Sequence, residues 1–217
     1  MTSPIHFIAF EGIEGSGKST QASLADRWLS EQGVDHIFLR EPGSTPLSEK
    51  IRELLLQRQE IALSAPAEAL LYLSARAQLV EEVISPALLA GRLVLADRYS
   101  HSTLAYQGYG LGLSVTELTR ICEFATGGLW PDRVILIDIP PQVGLSRKKE
   151  KGDTPDRIEL RQLTFFERVR EGYLAMAKKE PEVFIVIDGT RSEEEVWGEV
   201  RRKMEEWMGK KFKYGKI

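Results

Sequence analysis

Phe10-Glu11-Gly12-Ile13-Glu14-Gly15-Ser16-Gly17-Lys18-Ser19-Thr20 follows directly on the apolar run Ile5 to Phe10 and leads into Gln21-Ala22-Ser23-Leu24-Ala25-Asp26-Arg27-Trp28-Leu29. Gly12, Gly17, Lys18 and Ser19 fill every fixed position of G-x-x-x-x-G-K-[ST], the phosphate-binding loop. Gly12, Gly15 and Gly17 can take positive φ, which turns successive N–H groups inward as a nest for an anion. Lys18 is then placed to reach β- and γ-phosphates and Ser19 to offer its hydroxyl to Mg²⁺, with the positive end of the following helix beneath them. The whole loop from Gly12 through Ile13, Glu14, Gly15, Ser16, Gly17, Lys18 and Ser19 to Thr20 is the expected ATP-binding segment. The motif acquires meaning only between a strand and a helix, and both flanks fit. Leu24, Trp28 and Leu29 recur at the spacing of one helix face.

Further apolar runs of strand length lie at Ile37 to Leu39, Leu93 to Ala96, Val134 to Ile139 and Val183 to Ile187. They are continuous rather than alternating and are separated by helix-period segments, the pattern of buried parallel strands. Five such units predict an α/β fold of the P-loop NTPase type, a doubly wound five-stranded parallel sheet flanked by helices. Ser48 is the expected N-cap of the helix from Glu49, and Ser192 with Glu195 has capping-box spacing. Pro66 to Ala90 reads as one long helix closed by Gly91, and Pro140-Pro141 opens another.

The 217 residues fit a single domain, 1–217, and 42% hydrophobic residues can fill its core. Lys+Arg 29 against Asp+Glu 32 leaves a formal charge of −3, which argues against a generic nucleic-acid or membrane surface, so any cationic site must be local. Cys122 is the lone cysteine and suits a reducing compartment. No apolar run approaches the roughly 20 residues of a membrane span, and Met1-Thr2-Ser3-Pro4 lacks a basic leader. A cytoplasmic enzyme is the expectation.

Ligands of such sheets sit at the carboxyl ends of the strands. The third run ends in Asp97-Arg98-Tyr99, where Asp97 reads either as the acidic group that holds Mg²⁺ through water or as a helix N-cap. Arg98 beside it offers a guanidinium fork suited to phosphate. The segment from Ser146 to Arg157 is basic and turn-rich, and predicts a mobile flap carrying Arg147, Lys148, Lys149, Lys151 and Arg157; a merely solvated charged loop has the same composition. The tail Lys210-Lys211-Phe212-Lys213-Tyr214-Gly215-Lys216 reads as a frayed end.

Arg40-Glu41-Pro42-Gly43, Leu70-Leu71-Tyr72-Leu73-Ser74-Ala75-Arg76, Asp97-Arg98-Tyr99 with Ser102-Thr103-Leu104-Ala105-Tyr106-Gln107, and Asp156-Arg157-Ile158-Glu159 follow the loop in the order of the thymidylate kinase family, which the chain resembles over nearly its whole length. The resemblance implies transfer of the γ-phosphate of ATP to dTMP with Mg²⁺, a lid at about 146–157, and a homodimer built from sheet-flanking helices. It places Arg40, Arg52 and Arg98 on the dTMP phosphate, and Arg76, Thr103 and Gln107 at the thymine edge. Tyr72 stands in place of a stacking phenylalanine, Glu14 falls near the sugar or metal, and Tyr106 near the 2′ position. One branch of the family carries a catalytic arginine inside the loop; Gly15 at that position makes this chain look like the other, with Arg147 near adenine and Lys149 or Lys151 supplying the lid charge. Ser44 stands where the Arg-Glu-Pro-Gly loop usually has glycine. Read without the resemblance, Arg52 and Arg76 are open to a second reading as i,i+4 partners of glutamates, Tyr72 as a core residue, and Asp156–Arg157 as an ion pair.

Overall fold

Residues 5–56, 62–150 and 156–209 are described by the computed structural model. Five strands, β1 (Phe7–Glu11), β2 (His36–Arg40), β3 (Leu93–Asp97), β4 (Arg133–Asp138) and β5 (Phe184–Asp188), form one sheet in the order β2-β3-β1-β4-β5. Every pairing is parallel. The sheet expected from the apolar runs is therefore present, with β1 at its centre.

The strands are apolar throughout because both faces are covered. Alternate residues of β1 go to opposite layers. Phe7 and Ala9 pack into the layer containing Leu73, Cys122, Phe166 and Val169. Ile8 and Phe10 join Ala22, Ala25, Trp28, Leu29, Val196 and Val200 on the other side. Each fully buried large side chain contributes about 1.5–3 kcal/mol. The first layer is roofed by α3 (Ala65–Leu79), α6 (Val115–Thr126) and α8 (Leu163–Lys179), the second by α1 (Lys18–Glu31) and α9 (Glu193–Met208).

Helix ends follow their chemistry with two departures. Ser192 and Glu195 form the capping box at α9, and α7 (Pro141–Glu150) opens at Pro141. Ser48, however, lies inside α2 (Pro46–Leu56): its N–H donates to Thr45 Oγ1 at 3.1 Å, so Thr45 caps the helix. Ser48 Oγ instead donates to the carbonyl of Ala75 at 2.8 Å, tying α2 to α3. The segment expected as one helix over 66–90 is α3, a π-helical stretch Val80–Ile84 and α4 (Ser85–Leu89). It begins at Ser64, whose side chain accepts from the Ala67 N–H. After β3 come a short α5 (Ser100–Thr103) and a second π-helical stretch, Leu104–Gly110.

The register sets the site. Arg40 lies opposite Asp97, and Asp97 opposite Phe10, so the ends of β2 and β3 and the start of the phosphate loop share one edge of the sheet.

Candidate active site

Gly12, Gly15 and Gly17 have φ of 146°, 71° and 90°, the left-handed conformations the loop requires. A β-carbon on Gly12 would come within 2.5 Å of the carbonyl of Ile137 on β4. One on Gly15 would overlap the carbonyl of Gly144 on α7, and one on Gly144 would overlap the carbonyl of Glu14. Loop and helix thus meet backbone to backbone. The loop delivers the chain into α1 at Lys18, whose first turn leaves N–H groups without intrahelical acceptors.

Lys18 is buried, and among the described residues its Nζ reaches only the carbonyl of Ile13, at 3.4 Å. Burial, with the nearby Arg98 charge, pulls its pKa down to about 8. An ammonium held there at a solvation cost is poised for an anion. Asp97 is also buried, and its Oδ1 has no hydrogen-bond partner among the described residues. Such an orphaned oxygen suits a hydrated cation held mainly by phosphates, with the Ser19 hydroxyl alongside. Among the described residues no group of three or more His, Cys, Asp or Glu could hold a metal by itself.

Against the loop, just past the end of β3, stands Arg98, at φ 75°, a conformation costing a non-glycine residue about 1–3 kcal/mol. It is over-determined. Nη2 donates to Glu14 Oε1 at 2.9 Å and to the Tyr106 hydroxyl at 3.0 Å, and Nη1 to the carbonyl of Gly12 at 3.1 Å. Burial opposes its charge, but Tyr106 and Glu14 hold its pKa well above the ordinary value. Glu11 supports the turn from beneath. Its carboxylate accepts from the N–H groups of Tyr99 and Ser102, the Ser102 hydroxyl at 2.6 Å and the Tyr173 hydroxyl at 2.7 Å.

A cavity of about 360 Å³ joins the two sides. Its loop wall holds Glu14, Gly15, Gly17, Lys18, Ser19 and Thr20; its far wall holds Arg40, Arg52, Tyr72, Arg76, Thr103 and Gln107, with Asp97, Arg98 and Tyr106 between, the last two bonded to Glu14. Every residue assigned to the acceptor therefore faces the same space as the phosphate loop. Gly12, Ile13 and Ser16 lie behind the loop.

Arg40 is half-exposed and 3.7 Å from Glu49, while Arg52 donates to the carbonyl of Pro42 at 2.9 Å. Burial, and after it the neighbouring Arg40 charge, lower the Arg52 pKa. Ser44 has φ 70°, the glycine-like conformation its position asks for, and is held by its N–H donating to Glu49 Oε1 at 2.8 Å. Arg76 is 2% exposed. Its partner is no helix neighbour but Glu41, at 2.6 Å, and it also donates to Thr103 Oγ1 at 2.8 Å. Burial of the Tyr72 ring raises its phenol pKa, so the phenol stays neutral.

The flap resolves differently from expectation. Ser146 to Glu150 continue α7 as helix rather than loop. Arg147 donates to the carbonyl of Gly189 at 2.9 Å, at the end of β5. Lys149 is exposed; it is Lys148 that lines the cavity and bonds Glu159 at 2.8 Å. Lys151 and the 210–216 tail lie outside the described residues. Arg157 pairs not with Asp156 but with Glu68, at 2.7 Å, while Asp156 Oδ1 accepts from the Ile158 and Glu159 N–H groups. Sequence reasoning gave no site role to Glu11, Glu41 or Glu68 and named Lys148 only among the flap cations; the carboxylates act through partners far along the chain.

A parallel sheet with a phosphate loop facing a cluster of guanidinium groups defines a P-loop kinase. A family model described as Thymidylate kinase matches residues 10–200. The thymidylate kinase of Kosmotoga olearia is 48% identical over 194 residues, 89% of this chain and 92% of that protein. That of Carboxydothermus hydrogenoformans is 50% identical over 199 residues, 92% of this chain and 96% of that protein. The crystal structure of thymidylate kinase from Ehrlichia chaffeensis matches with a TM-score of 0.76 at 32% identity, covering 94% of this chain and 100% of that one. The chain belongs to the thymidylate kinase family, whose members are ATP-dependent nucleotide kinases.

Proposed function

We propose that the cavity transfers the γ-phosphate of ATP to dTMP, with the triphosphate on Gly12 to Thr20 and the acceptor phosphate between Arg40, Arg52 and Arg98. The observation that carries this is the single cavity lined by both Lys18 and those three arginines. Three guanidinium groups suit an acceptor that already bears a phosphate.

The acceptor oxygen is ionised before reaction, so the step asks for positioning and positive charge rather than a general base. Lys18 neutralises charge on the transferred phosphoryl group. Arg98, clamped by Glu14 and Tyr106, keeps acceptor and donor phosphates in line. Ser19 and Asp97 would hold Mg²⁺, which supplies charge neutralisation on the nucleotide phosphates. Arg147 would steady the adenine end from its place beside Gly189.

The catalytic cation of the lid is assigned to Lys149 or Lys151, at the carboxyl end of α7 and just beyond it in the chain, with Arg147 left to the adenine. The contact of Gly15 with Gly144 supports this, because the loop has no room at Gly15 for an arginine. Exposed Leu70 on α3 and Ile121 and Phe124 on α6, helices packed side by side, support the homodimer. No helix among the described residues is long and apolar enough to cross a membrane. The proposed location, the cytoplasm, rests on the lone buried Cys122.

ATP-dependent turnover on dTMP, dUMP, UMP, CMP and thymidine tests the reading. The expected best acceptor is dTMP, and a better one would overturn it.

A further inference from the structure

Glu68 on α3 is fully buried and absent from the cavity wall. One carboxylate oxygen accepts from Arg157 Nη1 at 2.7 Å and Arg161 Nη2 at 2.5 Å. The other accepts from Gln107 Nε2 at 2.8 Å. A carboxylate only accepts, so Gln107 must turn its NH₂ group toward Glu68. Gln107 lines the cavity, and its amide carbonyl has no partner among the described residues. The atom it offers to a ligand is therefore an acceptor. Four residues earlier on the same helical run, Thr103 Oγ1 accepts from Arg76 Nη1 at 2.8 Å, so its own hydroxyl hydrogen is left to donate.

An acceptor and a donor side by side match a pyrimidine that carries a proton on N3 beside a carbonyl. Cytosine presents the reverse, a bare N3 beside an amino group, and meets neither. We propose that Glu68 is a positioning residue: by holding the amide of Gln107 in one orientation, it makes the site select a thymine-type edge over cytosine. This rests on the proposed transfer to dTMP, with Thr103 and Gln107 at the thymine edge where the family resemblance puts them.

The test measures kcat/KM for dTMP and dCMP, together with Tm. Glu68→Asp keeps a charge that the two long arginine side chains can follow, but withdraws it from Gln107. The dTMP:dCMP ratio should fall about tenfold or more, mainly through KM for dTMP. Glu68→Gln should lower it likewise, because an amide can face Gln107 either way. Combining Glu68→Gln with Gln107→Glu again sets an NH₂ against a carboxylate and turns an acceptor to the cavity, so the ratio should recover. A role confined to anchoring Arg157 and Arg161 would lower both acceptors alike, and an unchanged ratio overturns the proposal. Gln107→Ala separates the two claims: if it leaves the ratio intact, the base-edge reading itself fails, whereas a shift there with inert Glu68 variants removes Glu68 alone. If neither Glu68 variant folds, hydrogen exchange in the unsubstituted protein decides. The Gln107 Nε2 protons should be protected with and without dTMP, and exchange as fast as in free glutamine overturns the inference.

Discussion

The two walls of the cleft are made of different material. The triphosphate wall is backbone: three glycines at positive φ, the first turn of α1, and a single buried lysine. On the acceptor side the polar groups are side chains, many of them bonded to other side chains, Arg98 to Glu14 and Tyr106, Arg76 to Glu41 and Thr103, Gln107 to Glu68. Backbone amides read charge and shape and are indifferent to the base attached. Side-chain networks cost more to assemble, since every buried member needs its partner, but they can tell one base from another. Recognition of the acceptor is thus the part of this molecule that substitution can retune.

Breaking the triphosphate wall at its buried lysine should give the largest effect. Lys18→Ala is expected to lower kcat by about 10²–10³ with Tm near that of the unsubstituted protein, in steady-state assays and thermal unfolding. Arg98→Lys keeps the charge and discards the fork; kcat/KM for dTMP should drop about 10²-fold while KM for ATP barely moves, the asymmetry the two walls require. Gly15→Ala attacks the backbone wall without touching a charge. The left-handed φ and the contact with Gly144 should cost about 1–3 kcal/mol in urea unfolding and weaken ATP far more than dTMP. Arg147→Ala should raise KM for ATP only about three- to tenfold, having removed a hydrogen bond to the Gly189 carbonyl.

The smallest effect is a proton. In the fold Lys18 sits at about 8 against an ordinary 10.5. Between those values the unfolded chain holds a proton that the folded chain has released, so the stability due to this group rises as pH climbs through that window. A bound triphosphate favours the charged form again. Calorimetry at a pH of about 9 in buffers of different ionisation enthalpy should register uptake of a fraction of one proton, absent in Lys18→Ala.

The wall made of backbone was also the easier one to read from sequence. A loop of eleven consecutive residues carries its geometry in its glycines, and a strand buried on both faces cannot avoid being a run of apolar residues. Capping by Ser192 and Glu195 is equally local. Ser48 was read as the cap of the helix from Glu49; the cap is Thr45, three residues earlier, and the Ser48 hydroxyl bonds the Ala75 carbonyl on another helix, a contact with no local signature. The basic residues after Pro141 looked like a loop because charge runs usually are; the helix instead carries them on to Glu150, which swaps Lys148 for Lys149 at the cavity. Glu41 with Arg76 and Glu68 with Arg157 are 35 and 89 residues apart, and such pairings leave no local signature.

The touching backbones of Gly15 and Gly144 have a mechanical meaning. With no rotamer on either side, that junction has nothing soft to absorb a displacement, so α7 and the loop proposed to hold the triphosphate abut as rigid parts. The basic end of the helix and the proposed seat of the nucleotide are in this sense coupled through two residues that lack side chains.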